Sequence, residues 1–281
     1  MPEHLFAHLT LARVAEAAGD FAAAAAALEA AANASTTDEE KARNLYGAAT
    51  LWQDKAGDPA RARAALEAVA AIDPAYGDVF QRLQAIYIAE GARQELASLL
   101  EARLAGVTDP NERVELEVLR GRALADVGDP AAAKRALAAA LEQSPDHVEA
   151  LEAFGAVSAQ EEDWASAEQA WIRLARLATE PEKQAEIYFR LGEVYDERLP
   201  NPERAELSYQ EILKRLPGNI QARERLVALF QKTGNGPQAI EQQTLLINEA
   251  EPPELKCVRT TELARIRSEE RRVGKECRLT C

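Results

Sequence analysis

The architecture of the chain can be predicted from residues 111–145, which read NERVELEVLRGRALADVGDPAAAKRALAAALEQSP. Two runs in this segment are rich in Ala, Leu, Glu and Arg, residues of high helix propensity. Gly128-Asp129-Pro130 separates the runs, and Ser144-Pro145 ends the second one. Because proline stops one helix and can occupy the first turn of the next, the segment predicts a helix, a turn, a second helix and a break.

The same pattern recurs along the chain with a period of about 71 residues. Proline breaks fall in two interleaved series, Asp73-Pro74, Ser144-Pro145 and Leu216-Pro217, and then Asp109-Pro110, Glu180-Pro181 and Glu251-Pro252. Apolar residues between the breaks recur three and four positions apart, and no segment has the alternation typical of a strand. One helical hairpin cannot bury its apolar stripe alone, whereas stacked hairpins can, so the sequence predicts an all-α solenoid.

Small and large residues stand at matching positions in successive units. One unit has Gly121, Leu124, Ala133, Leu137, Ala140 and Pro145; a second, with one inserted residue, has Leu191, Gly192, Tyr195, Ala205, Tyr209 and Pro217; a third has Phe154, Gly155, Ala167 and Trp171. In this pattern each unit resembles the tetratricopeptide repeat, a helix-turn-helix of about 34 residues. The resemblance implies a right-handed superhelix of about seven repeats, in which small residues let the two helices of a repeat approach closely.

The breaks divide the chain into seven units and a partial eighth. The predicted boundaries are 1–38, 39–74, 75–110, 111–145, 146–181, 182–217 and 218–253, with 254–266 as the opening of a further repeat. Some units exceed the family length by up to four residues, which leaves related helical repeats open as an alternative. The first unit is atypical because of its alanine run from Ala22 to Ala27; it is either a terminal repeat or an internal one behind a misassigned start.

The last fifteen residues are expected to have a different origin from the rest. From Arg267 the chain reads RSEERRVGKEC, and these eleven residues match the conceptual translation of a widely used sequencing-library adapter. We therefore expect 267–281 to be a non-native tail and the natural reading frame to continue beyond Ile266. Without the tail the net charge changes from −14 to −16. The alternative is a basic, solvated helical tail.

The composition argues against several classes of function. A net charge of −14 disfavours nucleic-acid binding, which needs a basic face, and no stretch approaches the ~20 apolar residues of a membrane span. The N-terminal sequence MPEHLFAHLT lacks a signal-peptide pattern, so a cytoplasmic location is expected unless an internal start codon hides an export signal. Arg outnumbers Lys 25 to 8, which favours a GC-rich bacterial source.

Few residues are available for catalysis, a cofactor or a metal. His4 and His8 share a helix face, but two ligands make a weak metal site. Cys257 is interpreted as a structural or surface thiol, and no Gly-rich phosphate loop is present. The tryptophans are interpreted as core residues: Trp52, Trp164 and Trp171. We therefore expect no enzyme activity, no cofactor and no metal.

The tetratricopeptide resemblance also implies a binding surface, the concave groove lined by the first helix of each repeat. Five positions of that helix point into the groove in the family, and their transfer to units two to seven gives thirty residues, two of them aromatic and all the charged ones among the candidates below. The candidates are Arg43, Tyr46, Asp54, Asp78, Glu115, Arg122, Asp126, Glu149, Glu152, Glu186, Phe189, Glu193, Asp196, Glu197, Glu224 and Lys232. Eleven of them are acidic and three are basic, and a groove lined by one sign of charge attracts the opposite sign.

The sequence therefore predicts a non-catalytic scaffold that binds a protein or peptide with a basic segment in this groove. Tyr46 and Phe189 are the expected aromatic anchors. The basic clamp with which chaperone-binding members of the family hold C-terminal carboxylates is not expected, since its positions are mostly acidic or apolar here. The alternatives are an acidic surface without a specific groove, a docking or sensory arm of a larger kinase, transferase or protease, and a rigid structural spacer. Partner identity and oligomeric state are not predicted.

Overall fold

The computed structural model describes the backbone of residues 2–248 and 253–279 and the side chains of residues 4–248 and 255–272. Every regular element in these residues is helical, which confirms the predicted all-α class. Within each part of the chain, helices joined by short turns pack against their neighbours, as expected of stacked helical repeats. The chain divides into two compact units, Met1–Ser144 and Pro145–Cys281, called here the N-terminal and C-terminal units.

The helices alternate between the first and second members of successive hairpins. In the N-terminal unit they are α1 (Pro2–Ala17), α2 (Phe21–Ala34), α3 (Asp38–Leu51), α4 (Pro59–Ile72), α5 (Val79–Glu90), α6 (Arg93–Leu104), α7 (Pro110–Val127) and α8 (Pro130–Gln143). In the C-terminal unit they are α9 (Val148–Gln160), α10 (Trp164–Leu177), α11 (Pro181–Glu193), α12 (Pro202–Arg215), α13 (Ile220–Lys232), α14 (Gly236–Asn248) and α15 (Pro253–Leu279). Short π-helical turns continue α3 over Trp52–Ala56 and α11 over Val194–Arg198.

The hairpin turns are built from residues that end one helix and begin the next. Gly128 has a φ of 89°, in the left-handed region that favours glycine, and it ends α7. The carboxylate of Asp129 then accepts a hydrogen bond of 2.9 Å from the backbone N–H of Ala132, and Pro130 is the first residue of α8. The same Gly-Asp-Pro order occurs at 57–59, where it joins the π-helical turn to α4. These turns agree with the proline and glycine signals in the sequence.

Glycines inside three odd-numbered helices allow the helices of a hairpin to pack closely. A Cβ atom added at each of them would lie closer than 3.0 Å to a large side chain of the following even-numbered helix. The pairs are Gly121 with Leu137, Gly155 with Trp171 and Gly192 with Tyr209. These contacts agree with the role expected for the small residues of the repeat.

The prediction that all three tryptophans belong to the core is wrong for one of them. Trp52 and Trp171 are buried, with exposed fractions of 3% and 5%. Trp164 is only partly buried, and the Arg198 guanidinium lies 5.2 Å from the centroid of its ring. Trp164 is the first residue of α10, next to a hairpin turn, where fewer neighbouring side chains can cover it.

The last described helix, α15, changes character along its length. Leu263 and Ile266 are buried, whereas every described side chain from 267 to 272 is exposed. The partial eighth repeat, the unit boundaries and the non-native tail stay predictions. Cys277 and Cys281 lie outside the described side chains.

Two further features bear on function. No helix in the described residues is both long and apolar enough to cross a membrane. Among the described side chains, no group of three or more His, Cys, Asp or Glu is arranged to hold a metal ion. His4 is exposed, His8 is partly buried, and Cys257 is an exposed free thiol.

Candidate binding surface

The residues predicted to line a groove lie on odd-numbered helices, at the N-cap of α5, or in the two π-helical turns. The N-terminal unit contains Arg43, Tyr46, Asp54, Asp78, Glu115, Arg122 and Asp126, and the C-terminal unit contains Glu149, Glu152, Glu186, Phe189, Glu193, Asp196, Glu197, Glu224 and Lys232. None of these sixteen side chains is fully buried. The partly buried ones are Tyr46, Phe189, Glu193 and Asp196, and the other twelve are exposed.

In the C-terminal unit, a cleft of about 320 Å³ opens between α9 and α11 above the end of α10; we call it the Val148 cleft. Val148, Leu174 and Ile187 give it an apolar lining. Val148 is 49% exposed, so part of its apolar surface is open to water at the cleft. Glu152 and Glu186, two of the predicted residues, also line this cleft, so the structure brings them together from different helices.

A second cleft of about 240 Å³, the Trp171 cleft, lies between α10 and the end of α11 with its π-helical turn. It is lined by Trp164, Trp171, Arg190, Glu193, Val194, Glu197 and Arg198. Two further predicted residues, Glu193 and Glu197, are therefore neighbours. Arg190 lines both clefts, which makes the two clefts adjoining parts of one surface.

Cations that the sequence prediction did not include lie among these carboxylates. The two clefts together are lined by five glutamates, Glu152, Glu180, Glu186, Glu193 and Glu197, and by three cations, Lys183, Arg190 and Arg198. Arg190 donates a hydrogen bond of 2.5 Å to Glu186 one helical turn earlier. The lining keeps a surplus of two carboxylates, a smaller excess of negative charge than the four predicted residues Glu152, Glu186, Glu193 and Glu197 give alone.

Ion pairs also join the acidic residues of α11 and its π-helical turn to α13. Arg225 donates a hydrogen bond to Glu193, and its Nη1 lies 3.6 Å from Oε1 of Glu197. Nζ of Lys232 lies 2.6 Å from Oδ1 of Asp196. Because partly exposed ion pairs contribute only about 0–1 kcal/mol, these contacts are weak enough to be exchanged for contacts with a partner.

Phe189 lies between a buried tyrosine and an arginine. Its ring centroid is 5.9 Å from that of Tyr209, in an edge-to-face arrangement, and Arg225 lies over the Phe189 ring at 5.6 Å. Burial raises the pKa of the Tyr209 phenol above its ordinary value. Its hydroxyl is buried and has no hydrogen-bond partner among the described residues. The predicted anchor is thus already in contact with the protein on two sides.

In the N-terminal unit, the other predicted anchor, Tyr46, also contacts other residues of the protein. Its hydroxyl donates a hydrogen bond of 2.7 Å to Asp78, which raises the pKa of the Tyr46 phenol. The Tyr76 ring centroid is 5.6 Å away, and the Arg82 guanidinium lies 5.7 Å from the Tyr46 ring centroid. The structure therefore joins Tyr46 and Asp78, which the sequence placed in separate repeats, and adds Tyr76 and Arg82, which the prediction did not include.

The remaining predicted residues are distributed outside the two clefts. Arg43 pairs with Glu39 at 2.8 Å, and Asp126 pairs with Arg93 at 3.2 Å. Glu224 pairs with Arg259 of α15 at 2.7 Å. Four further predicted residues are exposed and also line neither cleft: Asp54, Glu115, Arg122 and Glu149.

Comparisons with known proteins bear on the fold. Residues 118–180 and 159–220 match the family model described as tetratricopeptide repeat. No curated protein matches the chain. A solved structure, the C-terminal part of a TPR repeat-containing protein from Cytophaga hutchinsonii, is 16% identical with a TM-score of 0.50, over 79% of this chain and 87% of that chain. MamA is 22% identical with a TM-score of 0.49, over 59% of this chain and 94% of that chain.

Proposed function

We propose that this chain, of which residues 118–220 match the tetratricopeptide repeat family, is a non-catalytic scaffold that binds a protein or peptide segment carrying basic side chains. Proteins built from this repeat generally act as protein–protein interaction scaffolds. The proposed binding surface is the Val148 cleft together with the adjoining Trp171 cleft. The observation that carries the proposal is an apolar floor bordered by a surplus of carboxylates.

The Val148 cleft supplies the apolar part of the proposed interaction. Leu174 and Ile187 form a buried apolar floor, with exposed fractions of 5% and 6%, while Val148 stays accessible at the rim. At about 320 Å³ the cleft has the volume of a small binding site, which suits an anchoring side chain rather than a folded element. Covering Val148 on binding would contribute about 25 cal/mol to the free energy of binding for each Å² of apolar surface removed from water.

Glu152 supplies an available carboxylate at the same cleft. Its side chain is exposed on α9, and among the described side chains nothing pairs with it. Glu186 across the cleft is instead engaged by Arg190. A partner's lysine or arginine placed over the cleft would therefore meet Glu152 without displacing an internal cation. The acidic net charge of the chain adds long-range attraction for such a partner.

The proposal is tested by reversing the charge of Glu152. The probe is the acetylated and amidated peptide KKKLLKKK, and its affinity is measured by isothermal titration calorimetry at 50 mM salt. Glu152→Lys is expected to weaken binding by about threefold or more, since an attractive contact becomes repulsive. The matched control is Glu241→Lys, an exposed position on α14 with the same change in net charge. That control is expected to weaken binding much less.

Replacing Glu193, Asp196 and Glu197 together by lysine is expected to weaken binding further and to flatten its salt dependence.

Equal effects of Glu152→Lys and Glu241→Lys would mean that only total charge matters, and would reject the clefts as the binding surface. Absence of binding of both KKKLLKKK and its arginine counterpart RRRLLRRR to the wild-type chain would reject the basic partner. The alternative roles, the cytoplasmic location and the bacterial source stay predictions.

A further inference from the structure

The two predicted anchors, Tyr46 and Phe189, have the same kind of contact. Each aromatic ring is covered by an arginine 36 residues further along the chain, on the next odd-numbered helix. Arg82 lies over Tyr46 at 5.7 Å in the N-terminal unit, and Arg225 lies over Phe189 at 5.6 Å in the C-terminal unit. The same contact, formed independently in both units, identifies these surfaces as places where a guanidinium is well accommodated.

The C-terminal example has the more complete set of contacts. The Arg225 guanidinium lies on the Phe189 ring, donates a hydrogen bond to Glu193 and is 3.6 Å from Glu197. An aromatic face and two carboxylates match a planar cation with several N–H donors better than they match a compact ammonium. We call the group of Phe189, Glu193 and Glu197 the guanidinium site.

The contacts of Arg225 are open to solvent. The side chains of Arg225, Glu193 and Glu197 are 36%, 38% and 52% exposed. Partly exposed ion pairs contribute little net stability, and an incoming guanidinium would replace the contacts of Arg225 with equivalent ones. Releasing Arg225 into water therefore costs little, and the site can be vacated without unfolding a helix.

We propose that Arg225 is an internal occupant of the guanidinium site, and that an arginine of the partner binds there by displacing it. The proposal rests on the proposed function and adds to it the kind of basic side chain that is recognised. It predicts that arginine-bearing segments bind more tightly than lysine-bearing ones of equal charge. It also makes Arg225 a competitor that lowers the affinity for the partner.

The test compares the peptides RRRLLRRR and KKKLLKKK, both acetylated and amidated, by isothermal titration calorimetry. Wild type is expected to bind the arginine peptide about threefold more tightly. Arg225→Gln is expected to raise the affinity for the arginine peptide by about threefold or more, with a smaller gain for the lysine peptide. The matched control is Arg215→Gln, which has the same charge change and also removes an arginine that covers an aromatic ring, Tyr188 at 4.8 Å.

The outcomes separate this proposal from the previous one. Equal gains from Arg225→Gln and Arg215→Gln, or equal binding of both peptides by wild type, would overturn the displacement of Arg225 while leaving a basic partner in place. Failure of both peptides to bind any variant would overturn both proposals. Phe189→Leu serves as a second variant, and it is expected to abolish the preference for arginine while the lysine peptide still binds.

Discussion

Gly192 determines how closely α11 and α12 approach. A Cβ atom at this position would lie closer than 3.0 Å to the ring of Tyr209. Tyr209 is fully buried, so its ring cannot move into open space. Because Phe189 packs against that ring, the absence of a methyl group at position 192 also supports the guanidinium site.

Gly192→Ala is expected to destabilise the protein. Because the added Cβ would lie closer than 3.0 Å to three ring atoms, the upper part of the usual overpacking cost, about 2–3 kcal/mol, is expected. The higher helix propensity of alanine returns about 1 kcal/mol, so a net loss of about 1–2 kcal/mol should appear in urea denaturation. Gly218→Ala is the control, since no atom lies within 4 Å of an added Cβ there. Wild-type stability of Gly192→Ala would contradict the close packing described for this pair.

At the scale of helices and turns, the Gly-Asp-Pro turns direct the chain from one helix into the next. Asp129 satisfies a backbone N–H that has no partner within α8, and Pro130 needs no such partner because it lacks an N–H. Asp58 accepts a hydrogen bond of 3.0 Å from Arg61 at the start of α4 in the same way. The turn residues therefore specify both the end and the start of a helix.

Asp129→Ala is expected to lower the free energy of unfolding by about 1 kcal/mol, because it removes the side-chain acceptor at the start of α8. Thermal denaturation followed by circular dichroism measures the effect. Asp129→Asn changes the charge by the same amount but keeps an acceptor of similar capping strength, so it should remain close to wild type. Equal losses in both variants would assign the effect to charge instead of to the cap.

Aromatic residues at the ends of two odd-numbered helices are held by a glutamate and an arginine from neighbouring even-numbered helices. Tyr195 donates a hydrogen bond to Glu168, which also pairs with Arg204 at 2.6 Å. In the N-terminal unit, Trp52 donates to Glu29, which pairs with Arg61. Both aromatic residues lie in π-helical turns, so these contacts fix the turns that carry Asp54 and the acidic residues Asp196 and Glu197.

At the scale of the molecule, buried phenols link stability to pH in both units. Burial, with a hydrogen bond to Glu168, raises the pKa of Tyr195 from 10.0 to about 12. Burial also raises the pKa of Tyr87 and of Tyr209. Folding therefore favours the neutral phenols. Their contribution to stability is complete below the unfolded pKa of about 10 and is lost as pH rises towards the folded values.

The free energy of unfolding is therefore expected to fall between pH 10 and 12. Urea denaturation across this range measures the fall, and ultraviolet absorbance reports phenolate formation. Tyr195→Phe should start less stable at pH 8 but lose less stability over the range, since one raised pKa is removed. Tyr76→Phe, at a partly exposed tyrosine, is the control and should follow the wild-type curve. Parallel curves for wild type and Tyr195→Phe would contradict the prediction.

Short-range effects made the fold predictable from the sequence. Helix propensity, proline breaks, aspartate caps and left-handed glycines act over about four residues, so they appear directly in a segment such as 111–145. The repeat period then indicated that the hairpins stack. Gly121 and Gly192 stand at matching positions of their repeats, and both make the close helix contact expected there. Residue type predicted burial less well at the ends of helices. Trp164 is an example, since its burial depends on how far the neighbouring helices extend.

The arrangement of charges on the candidate surface depended on the tertiary structure. Arg225 and Glu193 are 32 residues apart on different helices, and Tyr46 and Asp78 are equally far apart. Their pairing depends on the register between α11 and α13, or between α3 and the N-cap of α5, which no local pattern encodes. The sequence by itself determined the helices, the turns and the acidic character of the chain. Only packing decided which carboxylates are paired internally and which, like Glu152, have no partner among the described side chains.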